Sequence, residues 1–164
     1  MMRQGTALAV DVREREDAPA VELGVLTGLA GFMLRLAQLQ VFEAFYRDLA
    51  AEAATPGQIG ILVAVQANPG IRQGVLADAL RIKWSNMAKI IRLFERHGLI
   101  ERSVSAVDRR TVELRIAPGG SALLRRVLPV ATKSDTAALA PLNERERGTL
   151  LRLLAKLTHT AEST

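Results

Sequence analysis

Five side chains of the segment "WSNMAKIIRLFERHG" could do recognition chemistry together. Stepping about 100° per residue around a helix puts Ser85, Lys89 and Arg92 on one side, with Arg96 beside them and Asn86 at the flank. Met87, Ile90, Ile91 and Phe94 fall within about 100° of one another on the other side, a stripe for the core. Hydroxyl, carboxamide and cationic groups on one helical face can bind phosphate oxygens or base edges, and the DNA major groove admits one α-helix. Asn86 can pair with adenine, and Lys89 and Arg92 with guanine or phosphate. A second group follows at "VDRR", Asp108, Arg109 and Arg110. Adjacent arginines repel unless an anion lies near. Asp108 can fix the tip or the Arg110 guanidinium, and Arg110 would then reach a narrow minor groove, where negative potential is enhanced. Taken singly, an amphipathic helix with a solvated basic face and a polar turn would look the same; their adjacency favours a shared anionic partner.

Other chemistry has little support. The chain has no cysteine and only two histidines, His97 and His159. His97 stands beside Gly98 at a helix end, a place for a C-terminal cation. There is no Cys/His metal spacing, no G-x-S-x-G and no phosphate-cradling glycine loop. The sequence therefore predicts no catalytic residue, no metal site and no cofactor.

The elements that must position these groups are mostly helical. Residues 1–20 mix charges with Gly and Pro and read as a flexible tail. Phe32, Met33, Leu36, Leu39, Phe45, Tyr46 and Leu49 recur at helical spacing, so a helix is expected from about Val21 to Ala51. A helix this long and apolar calls for a subunit interface. "TPGQ" is a helix start, with Thr55 as cap, Pro56 in the first turn and Gln58 closing a capping box. That helix should stop at "NPG", Asn68 to Gly70. A short helix from about Arg72 to Leu80 and another from Trp84 or Ser85 to Gly98 follow. The period then changes to two, with Ile100, Val104, Val112, Leu114 and Ile116 alternating with polar residues, which predicts a two-stranded hairpin with its tip near Ala106 to Arg110. "PGGS", Pro118 to Ser121, reads as a turn before a helix to about Lys133. Asn143 and Glu146 cap a last, leucine-rich helix.

Helix, helix, helix, hairpin is the order of a winged helix-turn-helix. The expected fold is mainly α: residues 54–117 form that DNA-binding domain with a two-stranded β hairpin wing. Residues 21–53 and 118–160 form the two parts of a helical dimerisation domain. Charge agrees with an anionic partner. The net charge is +5, but residues 71–126 hold twelve basic and five acidic side chains, a balance of +7 in the central third. Aromatics are too few and not interleaved as single-stranded RNA binders need. A winged helix used for protein–protein contact is the remaining alternative. No run approaches the roughly 18 apolar residues of a membrane span, and no secretory signal is seen. With no cysteine, a cytoplasmic location is expected.

The stretch from Thr55 to Gly120 resembles the MarR family of bacterial transcription regulators. The resemblance rests on "IIRLFERHGLIER", on the Asp108–Arg109–Arg110 wing, and on "APGG" in place of threonine-proline-x-glycine, and extends from about Leu26 to Leu157. It implies a homodimer with interleaved terminal helices and two winged lobes on a pseudo-palindromic double-stranded operator, more often as a repressor. Arg110 matches the minor-groove arginine and Asp108 its support. Asn86 and Lys89 are expected at base edges, and Gln73, Ser85 and Arg109 at phosphates. Trp84 and Leu93 depart from the pattern. Trp84 is read as core packing, with a sugar-phosphate contact the other possibility. Leu93 suggests a partly covered face.

The segment "LTGLAGFMLRLAQLQVFEAFYRDLA" looks like the first helix of the subgroup controlling aromatic-compound catabolism, with Arg35-Leu36-Ala37-Gln38 the recurring part. Such regulators respond to aromatic acids or their CoA thioesters. Arg35 is the one cation between Val25 and Val41, and a carboxylate or phosphate would satisfy its fork of donors. A salt bridge to an acid such as Glu43 across subunits would do so equally. Phe32 and Gln38 could line the same cleft. The lack of cysteine argues against the oxidant-sensing branch.

Overall fold

A computed structural model describes residues 21–52, 54–104 and 112–158. The described residues form six helices: α1 (Ala30–Asp48), α2 (Pro56–Ala67), α3 (Gln73–Ala79), α4 (Trp84–Arg96), α5 (Pro118–Ala138) and α6 (Glu144–Thr158). Three short strands complete them: β1 (Ile71–Arg72), β2 (Ile100–Val104) and β3 (Val112–Ile116). Two compact units divide the chain. The described part of the first, ending at Leu36, holds a 3-10 turn (Gly24–Gly28) and the start of α1; the second begins at Ala37 and holds the rest.

The start of α1 corrects the expectation of a helix from Val21. Gly24 has φ +51° and Leu29 is extended, so the apolar pattern continues but the α-helical hydrogen bonding begins only at Ala30. In α2 the expected cap is present: the Thr55 side chain accepts from the Gln58 N–H at 3.2 Å, and Gln58 Oε1 accepts from the Thr55 N–H at 3.0 Å. Asn68 closes the helix.

The sheet is antiparallel with order β1-β3-β2, so the hairpin carries a third strand. Ile71 pairs with Leu114, and Ile100 to Val104 pair with Ile116 to Val112. β1 has two residues, too few to show a period of two. Gly70 makes it possible: at φ +86° its N–H donates to the Leu114 carbonyl at 2.8 Å. In β2 only Ile100 is buried; Val104, expected to face inward, is 63% exposed because the strand has by then left the core.

"PGGS" is not a turn but the first turn of α5. Pro118 occupies the first helical position, where a missing N–H costs nothing. Gly119 and Gly120 are there for close approach. A Cβ on Gly120 would lie 2.2 Å from the Leu99 carbonyl oxygen, and one on Gly119 2.5 Å from that of Gly98. The helix also continues past Lys133 to Ala138, through Pro129 and into an alanine pair that favours helix.

The core of the second unit joins Phe45 of α1 and Leu49 just after it to Ile61, Leu62 and Val65 of α2, Leu76 of α3, Met87 and Ile91 of α4, Leu114 of β3, and Leu124 and Val127 of α5. α6 contributes no buried residue, and Leu151, Leu153 and Leu157 are exposed.

Candidate nucleic-acid interface

The sequence gives α4 two faces, and packing fixes which one is free. Met87 and Ile91 are fully buried, with Ala88 and Phe94 nearly so; Ile90 is half-buried. That anchors the helix and turns Ser85, Asn86, Lys89, Arg92 and Arg96 to solvent, as their spacing predicts. The helix starts sharply: Asn86 and Met87 N–H groups donate to the Lys83 carbonyl at 2.9 and 3.0 Å, with no side-chain cap. The turn before it bends at Arg81, a non-glycine residue at φ +52°, whose N–H donates to the Asp78 carbonyl. At the other end Gly98 takes φ +65°, and His97 Nδ1 donates to the Leu93 carbonyl at 2.8 Å, closing the helix.

Two neighbours complete the surface. Arg102 of β2 pairs with Glu95 of α4 at 3.1 Å and so ties the hairpin to the helix. Sequence spacing did not suggest this pair, because the turn at Gly98 folds residues seven apart onto each other. Gln73, named from the sequence for a phosphate, is buried at the start of α3 and lines an open cavity of about 420 Å³ with Arg92, Arg102 and Trp84. Trp84 is 65% exposed, which corrects its reading as core packing: the helix is anchored by Met87 instead. Leu93 is half-buried against a different cavity, beside Leu62 and Leu123. Asp108, Arg109 and Arg110 lie outside the described residues, so the wing is described only to Val104 and from Val112.

Of the residues named for an effector, Phe32 is half-buried and Arg35 exposed in the first unit; Gln38 is exposed at the start of the second. A cavity of about 320 Å³ lined by Val41, Phe42, Phe45 and Ala131 includes none of them. Along α1 and α5 the polar contacts are specific. The Ser134 hydroxyl, itself buried, donates to Asp48 Oδ2 at 2.5 Å, and with Arg47 it holds the Asp48 carboxyl below the usual carboxylate range. Arg126 donates to Glu52 at 3.0 Å, which lowers the Glu52 pKa and raises that of Arg126. Among the described residues no three metal-ligating side chains converge, and no helix is long and apolar enough to cross a membrane.

This arrangement has close counterparts. The MarR family pattern matches residues 55–111, from the Thr55 cap into the wing. A protein assigned as the transcriptional regulatory protein for the hcr operon of Thauera aromatica is 37% identical over 135 residues, 82% of this chain and 81% of that one. The chain belongs to the MarR family. As a member of the MarR family it is a winged-helix transcription regulator rather than an enzyme. The transcriptional repressor CouR bound to a 23-mer DNA duplex superposes with a TM-score of 0.78 at 34% identity, over 84% of this chain and 98% of that chain. CouR bound to p-coumaroyl-CoA gives 0.75 at 31% identity, over 88% and 100%.

Proposed function

We propose that two copies of this chain form a repressor that binds a pseudo-palindromic operator and is released by a small aromatic acid or its CoA thioester. The observation that carries the reading is the α4 face, where Ser85, Asn86, Lys89 and Arg92 are exposed while Met87 and Ile91 are locked in the core. In this reading α4 lies in the major groove, with Asn86 and Lys89 at base edges, and Ser85, Gln73 and Arg109 on phosphates. Arg92 adds a cation on the same face. Arg110, held by Asp108, enters the adjacent minor groove. Likeness to CouR on a DNA duplex supports it. The dimer is supported by α6, where Leu151, Leu153 and Leu157 are exposed and no residue is buried; apolar surface of that kind belongs to an interface. The aromatic effector class rests on the likeness to CouR holding p-coumaroyl-CoA. Arg35 is the proposed partner for the effector's carboxylate or phosphate, and Phe32 and Gln38 are proposed as further contacts of the same ligand.

Fluorescence anisotropy on a duplex from the chain's own upstream region, against a shuffled duplex, tests this. The expected result is specific binding that weakens on Arg110→Ala and is reversed by p-coumaroyl-CoA or a related aromatic acid. Equal, weak binding to both duplexes, untouched by the substitution, would reject the reading and favour a protein-contact module. Binding that no aromatic acid or thioester reverses would reject the effector class alone.

A further inference from the structure

Trp84 is the only tryptophan of the chain and the first residue of α4. It is 65% exposed. Its surroundings are unusual for a stray apolar side chain. It shares the wall of the 420 Å³ cavity with Val75, itself 54% exposed, and with Arg72, Arg92 and Arg102; among the described residues Asp78 is the one carboxylate of that wall. Two exposed apolar side chains on a wall shared with guanidinium groups suit a partner that is anionic at its edge and apolar within. A DNA duplex is such a partner: phosphates line the groove and the thymine C5-methyl projects into its floor. The residues at the start of a recognition helix are the ones that reach base edges, and Trp84 directly precedes Ser85 and Asn86.

We infer that Trp84, with Val75 on the same cavity wall, reads thymine through its C5-methyl group. This rests on the proposed DNA contact by α4 and adds an apolar element to it. Asn86 and Lys89 then supply hydrogen bonds, while the indole discriminates thymine from cytosine, which lacks the methyl. Arg72 and Arg92 take the flanking phosphates, while Arg102 stays paired with Glu95 and holds the hairpin beside the ring.

The test uses the full chain and its operator duplex. Because Trp84 is the sole tryptophan, emission excited at about 295 nm reports this position alone. Operator DNA should quench or shift that emission, saturating at the same concentration as anisotropy. Replacing operator thymines by deoxyuridine removes only the methyl groups. Each contacted methyl lost should weaken binding of the wild type roughly fourfold, the amount expected for one buried carbon. Trp84→Ala should bind operator more weakly and be indifferent to the replacement, and Trp84→Phe should recover part of the sensitivity. Circular dichroism of both variants should match the wild type, since the ring is exposed. Silent emission at saturating operator overturns the inference while leaving operator binding intact. So does an equal deoxyuridine effect in wild type and Trp84→Ala. Sensitivity of Trp84→Ala to DNA with no deoxyuridine effect in either protein would place the ring on the sugar-phosphate backbone and also overturn it. Absence of operator binding by the wild type would remove the regulator reading itself.

Discussion

Single residues around α5 set a pH dependence that has nothing to do with the α4 face. Glu52 accepts from Arg126, and this bond lowers its pKa. A carboxyl with a lowered folded pKa stabilises the fold above its unfolded pKa of about 4.3, and loses that contribution as pH falls through the folded value. Glu52→Gln should therefore lower the melting temperature slightly at pH 7. The gap between variant and wild type should narrow steadily as the pH is taken below about 4. The guanidinium is mostly exposed, so the effect is small, as for most surface pairs. A gap that widens on acidification would contradict the assignment. At this scale the sequence was informative where the signal is local. The exposed set on α4 follows from helical spacing alone. Arg102 did not follow, because its partner Glu95 is brought to it by the Gly98 turn, and Trp84 was misread because exposure depends on how α3 and α4 meet.

The elements are set by a few backbone requirements as much as by apolar period. α2 was legible down to its cap, since Thr55 and Gln58 each accept from an N–H at the helix start and Pro56 has no N–H to leave unpaired. α5 was not, because its glycines answer to another element: Gly119 and Gly120 clear the carbonyls of Gly98 and Leu99, a contact invisible in sequence. The same holds for β1, too short to announce itself, and for α1, where a 3-10 turn imitates the helical period. Gly120→Ala should therefore be costly although it replaces a helical glycine by the best helix former. Its Cβ would meet the Leu99 oxygen at 2.2 Å and Ile116 Cδ1 at 2.6 Å. A loss of about 1–3 kcal/mol is expected from chemical denaturation, the usual range for overpacking. Gly60→Ala, with nothing within 4 Å of the new carbon, should instead be neutral or stabilising by up to about 1 kcal/mol. Equal effects at the two sites would mean that the α5 contact does not constrain the glycine.

For the whole molecule the deciding property is where charge and apolar surface lie. The basic excess falls in residues 71–126, the stretch that includes α4 and β2–β3, while α6 leaves Leu151, Leu153 and Leu157 exposed in a single chain. One region suits a polyanion and the other a second copy. Phosphate neutralisation releases counterions, so operator affinity should fall steeply with salt. The most direct measurement compares wild type and Lys89→Ala by anisotropy on operator and shuffled duplexes across a salt series. Lys89 is exposed on α4 and Ile91 stays buried, so the variant should fold normally. The account predicts a loss of about 1–3 kcal/mol per half-site on the operator, the range for one base contact, and far less on the shuffled duplex. The same small loss on both duplexes, or none on either, would contradict sequence reading by the α4 face.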